Sequence, residues 1–220
     1  MTTLVGDIET DGLDPTVIWV FVTKCIETQE VLAWYNKAGL QEYIDKHTGI
    51  VFHNGIGFDV PVLEKLWNIN FSNIDIIDTL VMSRLANPQR EAHALKWWGE
   101  QLGFPKGDYD DWLNFSQAMV DYGKQDVALN ERVYQILLNE LTGFGSECLL
   151  LEHQTQAIIA RQIKRGWTLD QEKAFILLAE LKEKKYDLED KVHEVFKPLP
   201  TFVKEITPKI KKDGTFSVVG

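Results

Sequence analysis

The stretch Leu4-Val5-Gly6-Asp7-Ile8-Glu9-Thr10-Asp11-Gly12-Leu13 decides how this chain is read. An apolar opening runs into carboxylates at Asp7 and Glu9, and side chains two residues apart on a strand project from the same face. Like charges held that close repel and desolvate poorly unless a cation or a partner offsets them. An acidic cluster at a strand end is also a common form of solvated turn. The pair therefore acquires a chemical meaning only if matching carboxylates follow.

Outward from that stretch, the first sixty residues read as strands. Gly12-Leu13-Asp14-Pro15 is turn chemistry. Residues 17–26 are rich in β-branched and aromatic side chains, and 30–35 are their hairpin partner across Glu27-Thr28-Gln29. A short helix is expected over 40–47 and a buried strand over 49–53. From about residue 59 the period is helical, with Val60, Leu63 and Leu66 on one face. Residues 75–80 carry a short strand into a helix reaching Arg84, residues 94–102 form a compact amphipathic helix, and 116–141 a long one. Two glycines at 143 and 145 mark a boundary. Two more helices follow, with Ser146 and Gly166 capping the first and Asp170 capping the second. The end of the chain is extended and lysine-rich, and it closes on a strand-like apolar run at 218–219.

The bulk numbers suit one domain plus an appendage. The chain has 220 residues, 45% of them hydrophobic, and no apolar run approaches the roughly 18 residues of a membrane span. Neither a signal peptide nor a membrane anchor is visible. Cys25 and Cys148 are the only cysteines, too few for a disulfide framework, and both read as buried apolar fillers in a reducing compartment. The formal charge of −10 argues against broad nonspecific duplex binding, which needs many Lys and Arg on phosphates. It is compatible with a site that holds a phosphodiester through metal cations.

Two later segments carry acids that answer the first pair. In Phe52-His53-Asn54-Gly55-Ile56-Gly57-Phe58-Asp59 a buried strand ends, glycines let the backbone turn closely, and Asp59 begins a helix, where Asp is also a frequent cap. In Tyr122-Gly123-Lys124-Gln125-Asp126 the phenol and the carboxylate lie one helical turn apart on one face.

Taken together, Asp-x-Glu after a strand, Asn-(x)4-Asp after a second and Tyr-(x)3-Asp on a later helix resemble the DEDD superfamily of 3′-to-5′ exonucleases. Tyr122 points to the tyrosine branch; the histidine branch carries His five positions before the last acid, and Asp121 stands there. Residues 52–63, Ile77-Asp78-Thr79-Leu80, His93-Ala94-Leu95 through Leu102-Gly103, and 121–127 resemble the proofreading domain of podophage family A DNA polymerases. Residues 152–170 resemble the opening of that family's polymerase domain, whose nucleotide-binding motifs are not found here, so polymerisation is not expected of this chain.

The resemblance implies an α/β fold of the RNase H-like type: a mixed five-stranded sheet flanked by helices over residues 1–145, then a helical appendage over 146–220. It implies two divalent cations, Mg²⁺ or Mn²⁺, a pair of which serves attacking and leaving oxygens when ~3.5–4 Å apart. Asp7, Glu9 and Asp126 would hold the ion that binds the attacking water. Asp7 would bridge to the second ion, with Asp59 supporting it. Tyr122, a phenol of reference pKa ~10, would orient the water rather than deprotonate it. Thr10 would lie near the terminal nucleotide, Leu13 would wedge between the last bases, Asn54 would touch the strand and Phe58 would add apolar support. The implied partner is a single-stranded or frayed DNA 3′ end, with a polymerase domain in the same or another chain, in the cytoplasm of a host cell if the gene is a phage's. An exoribonuclease of the RNase D or oligoribonuclease type and a catalytically silent binding module remain alternatives.

Overall fold

The structure, a computed structural model, describes residues 2–104, 107, 109–197 and 199–203. Five strands form one mixed sheet: β1 (Thr3–Thr10), β2 (Ile18–Cys25), β3 (Val31–Trp34), β4 (Gly49–Phe52) and β5 (Asp75–Asp78). Their order is β3-β2-β1-β4-β5. The central strand β1 pairs antiparallel with β2 and parallel with β4, and β4 pairs parallel with β5. The hairpin between β2 and β3 closes where expected, with Gln29 in the left-handed region at φ 60° and its N–H donating to the Cys25 carbonyl at 2.8 Å.

Because β1 is covered on both sides, its alternation separates two cores. Leu4 and Ile8 belong to one, with Phe21, Ile50, Phe52 and Leu63. Val5 belongs to the other, with Val20, Val22 and Val51 and with Met119, Val120 and Val127. Gly6 lies on the first face between stacked rings of Phe21 and Phe52, and a Cβ there would come within 2.8 Å of both. The face shared by Val5, Asp7 and Glu9 is thus the one packed against Met119, Val120 and Val127.

Seven helices flank or follow the sheet among the described residues: α1 (Leu40–Ile44), α2 (Asp59–Val62), α3 (Thr79–Ala86), α4 (Leu95–Gln101), α5 (Gln117–Glu140), α6 (Ser146–Arg165) and α7 (Gln171–Val195). α2 runs on as a wide π-helical stretch, Leu63–Trp67, where the apolar spacing had indicated an ordinary helix. Pro61 offers no N–H, and the Val60 N–H reaches back five residues to the Gly55 carbonyl at 2.9 Å. α5 starts at Ser116, whose hydroxyl accepts from the Met119 N–H at 3.1 Å. A third core joins Met82 of α3, Leu95 and Trp98 of α4 and Leu129, Val133 and Leu137 of α5.

Several local expectations are corrected. The cap of α6 is Gly145, with no side-chain hydrogen bond, instead of Ser146. Gly166 does end that helix, at φ 72°, and Asp170 caps α7 by accepting from the Lys173 N–H at 3.1 Å. Cys25 is buried as expected, whereas Cys148 is exposed. The strand-like run at 218–219 lies outside the described residues.

Contacts divide the chain after Gly166. α6 packs on α3 and so belongs to the first unit; the boundary expected at 145/146 is one of sequence relationship, which packing does not decide. In the second unit, α7 carries Leu181, Leu188 and Val192 exposed along its length. No described helix is long and apolar enough to cross a membrane.

Candidate active site

The site begins with the parity of β1. Asp7 and Glu9 share the Val5 face, over which α5 lies, and the pairing with β2 slips between Glu9 and Thr10. Such a bulge re-aims the side chains beside it. On α5, Tyr122, Asp126 and Asn130 stand four residues apart along one ridge. Gly123 lets that ridge approach, since a Cβ there would lie 3.1 Å from Val22 Cγ2 and 3.2 Å from Glu9 Oε1.

This approach brings carboxylate oxygens of Asp7, Glu9 and Asp126 within 4.8 Å of one another. Glu9 is 4% and Asp126 2% exposed, while Asp7 is half-buried. Asp59, 5% exposed, faces the same recess. Its Oδ1 accepts from the Ile8 N–H at 3.2 Å, and the cap position of its helix is Phe58. The side chain is therefore tied to β1 rather than used as a helix cap. The recess has a volume of about 400 Å³, and all nine candidate residues line it: Asp7, Glu9, Thr10, Leu13, Asn54, Phe58, Asp59, Tyr122 and Asp126.

The donor set fits a hard divalent cation. Oxygen ligands suit Mg²⁺ or Mn²⁺, neither His nor Cys belongs to the three-residue cluster, and buried carboxylates this close call for a compensating positive charge.

The loop after β1 shapes one rim. Asp11 does not join the cluster; its carboxylate accepts from the Thr16 and Val17 N–H groups at 2.8 and 3.1 Å and from the Thr16 hydroxyl. The Thr16 hydroxyl first, then the Val17 amide, hold the Asp11 carboxyl below its usual range. Thr10 donates its hydroxyl to the Gly12 carbonyl at 2.9 Å. The loop so closed leaves Leu13 projecting, 95% exposed.

The Asn54 rim depends on a residue that was not expected at the site. Asp78, 1% exposed at the end of β5, accepts from the N–H groups of Asn54 (2.9 Å), Ile56 (3.1 Å) and Leu80 (3.0 Å). It thereby fixes the turn in which Asn54 adopts φ 67°. The left-handed residue of this turn is Asn54 itself; Gly55 serves close packing, because a Cβ there would meet Phe52 Cβ at 2.2 Å. The Asp78 N–H donates to His153 Nε2 at 2.8 Å, and His153 Nδ1 lies 2.7 Å from the Leu149 carbonyl, so His153 is the neutral tautomer with its proton on Nδ1. Thr79 bonds to the Phe52 carbonyl (3.1 Å), Asn130 Oδ1 (2.6 Å) and His53 Nδ1 (2.9 Å). Trp112 and Tyr109 complete the surroundings, with ring centroids 5.7 and 5.9 Å from that of Tyr122. In sequence Asp78 is an acid at a strand-to-helix junction, inside the Ile77-Asp78-Thr79-Leu80 stretch that carries the family resemblance; Trp112 and Tyr109, in an irregular loop, have no such signal.

The chain is 28% identical over 239 aligned positions to a DNA-directed DNA polymerase of Escherichia phage T7, and 27% identical to that of Enterobacteria phage T3. Each alignment covers 73% of this chain and 34% of the relative, so the chain spans about a third of their length. Among solved structures, Brucella melitensis NrnC with bound Mg²⁺ superposes with a TM-score of 0.58 at 21% identity, covering 75% of this chain and 86% of that one. The family B DNA polymerase of Pyrobaculum calidifontis gives 0.56 at 15% identity, over 71% and 27%. These structural likenesses show a shared fold. Residues 4–138 match the RNase H superfamily, and with its mixed five-stranded sheet the chain belongs to that superfamily.

Proposed function

We propose that this chain is a 3′-to-5′ exodeoxyribonuclease that removes nucleotides from single-stranded or frayed DNA ends, the proofreading part of a phage-type DNA polymerase. The convergence of Asp7, Glu9 and Asp126 within 4.8 Å carries the reading. Divalent cations held by these three acids, with Asp59, would supply an activated water and offset charge on the phosphoryl oxygens. The remaining work falls to the chain itself. The Tyr122 hydroxyl, four residues from Asp126 on the same ridge, orients the attacking water. Leu13, exposed on its loop, enters between the last two bases, and Phe58 and Thr10 bound the space for the terminal nucleoside. Asn54 holds the strand from the Asp78-anchored turn. A mismatched end reaches this site more readily, because less pairing must be broken to free it.

Residues 1–145 are read as the exonuclease part and 146–220 as the start of a polymerase segment, acting in the host cytoplasm. The sequence relation to DNA polymerases favours DNA over RNA. The test is a 3′-labelled DNA strand and its RNA counterpart incubated with Mg²⁺ or Mn²⁺. Labelled mononucleotide should appear from DNA, and Asp7→Ala or Asp126→Ala should lower the rate beyond the roughly 100-fold that outer-shell changes reach. Faster RNA than DNA cleavage would reassign the substrate, and equal rates for wild type and Asp7→Ala would end the nuclease reading.

A further inference from the structure

A second recess, of about 880 Å³, adjoins the carboxylate recess and shares His53, Asn54 and Tyr122 with it. Its chemistry is opposite. Arg84 and Lys96 line it together with His93, and its described lining residues include no carboxylate. In a chain of net charge −10 that is a local inversion. Arg90, close by in sequence, spends its charge on Glu140 and on the faces of Trp97 and Trp98. Arg84 and Lys96 form no ion pair among the described residues, and both are exposed. His93, which lines the same recess, is anchored by Ser83 Oγ at 2.8 Å.

A strand whose scissile phosphate sits at the acids is asymmetric. On its 3′ side there remains one nucleoside with no further phosphate; on its 5′ side every nucleotide adds a charge. The surroundings of the acids can meet that asymmetry, with Leu13 and Phe58 offering apolar surface in the carboxylate recess itself and the adjoining Arg84/Lys96 recess offering cations. We propose that this recess is a phosphate subsite for the strand upstream of the scissile bond, with Arg84 and Lys96 binding the next phosphate on the 5′ side. This rests on the nuclease reading above and adds to it the direction in which the strand leaves the site.

The test uses the full chain with Arg84→Ala and Lys96→Ala combined, its fold checked by circular dichroism, and the charge-retaining pair Arg84→Lys with Lys96→Arg alongside. Fluorescence anisotropy with a 5′-labelled oligothymidylate without divalent metal reads binding directly. Loss of this one phosphate contact should shrink the slope of log K against log salt by about 0.7 and weaken binding at least tenfold at low salt, with the charge-retaining pair close to wild type. In hydrolysis, KM for the trinucleotide d(TpTpT) should rise for the alanine pair. That loss should shrink to within twofold for d(TpT), which lacks the phosphate concerned. An unchanged salt slope overturns the proposal, as does an equal KM effect on both substrates. Should the wild type cleave nothing, the nuclease reading fails, and the salt slope still decides the subsite.

Discussion

Gly123→Ala separates the positioning of Glu9 from the stability of the fold. Gly123 lies inside α5, past its first turn, where alanine favours the helix by about 1 kcal/mol. The added methyl would lie 3.1 Å from Val22 Cγ2 and 3.2 Å from Glu9 Oε1, so one neighbour must yield by a few tenths of an ångström. Val22 is fully buried between β1 and β3, and overpacking such a site costs about 1–3 kcal/mol. The net effect on stability lies between roughly zero and a loss of 2 kcal/mol, a fall in Tm of at most about 8 °C. Activity should respond more sharply. A misplacement of ~1 Å at a reacting site can cost ~100-fold; a few tenths of that distance corresponds to about five- to tenfold, ~1–1.4 kcal/mol in barrier. The assay is the initial rate of mononucleotide release at 25 °C across a Mn²⁺ titration, beside thermal unfolding of the same preparations. The expected result is a protein folded at the assay temperature, five- to tenfold slower, with half-saturation displaced to higher Mn²⁺. A wild-type rate and wild-type metal dependence would refute the claim that α5 sets the position of Glu9.

Four further outcomes follow from particular contacts. Gly6→Ala forces a Cβ to within 2.8 Å of both Phe21 and Phe52 and should cost about 1–3 kcal/mol, seen as a Tm lower by roughly 2–12 °C; an unchanged Tm would mean the rings have room to part. His153→Ala strips the acceptor from the buried Asp78 N–H and should cost about 1–3 kcal/mol, with faster hydrogen exchange at that amide as its particular signature. Burial, outweighing Glu27 and Glu30, lowers the pKa of His47; below the ordinary imidazole value of about 6.5 the unfolded chain then binds a proton that the folded chain refuses. Stability contributed there is whole above that pH and declines as pH falls toward the folded pKa, so urea midpoints should drop below about pH 6.5, and less steeply in His47→Gln. Mn²⁺ at ten times its Kd should stabilise by about 1.4 kcal/mol and raise Tm by roughly 3–6 °C, with Asp126→Asn abolishing the rise; equal shifts in both proteins would place the ion elsewhere.

What could be read from the sequence was whatever has a short period. Alternation on β1 gives Asp7 and Glu9 a common face, and a four-residue step gives Tyr122 and Asp126 theirs, so each half of the site was visible locally. The expected strands and long helices were visible for the same reason, through period-2 and period-3.6 patterns. The turn at Asn54 was visible as punctuation, but the residue taking φ 67° is Asn54 and not either glycine. What joins the halves has no local signature. The Ile8–Asp59 and Asp78–His153 hydrogen bonds span 51 and 75 residues, and nothing near Asp59 in sequence distinguishes a carboxylate reaching for β1 from one capping its own helix. The failed expectations at Ser146 and Cys148 are of one kind: residue type suggested a role that the packing of α6 did not require.

The division of labour among these long-range ties explains why buried acids can be tolerated before any cation arrives. Asp7 and Glu9 are fixed by a strand held on both sides by apolar packing, and Asp126 by a helix whose ridge continues to Asn130 and Thr79. Asp59 is fixed by the Ile8 amide, and the Asn54 turn by Asp78. The elements that carry the acids, β1, α2 and α5, are thus each anchored to the scaffold by contacts of their own. A site built in this way is preorganised, unlike domains in which the metal supplies the folding free energy. The repulsion among the acids is borne by the hydrophobic cores around them, and the same repulsion becomes metal affinity once a cation relieves it.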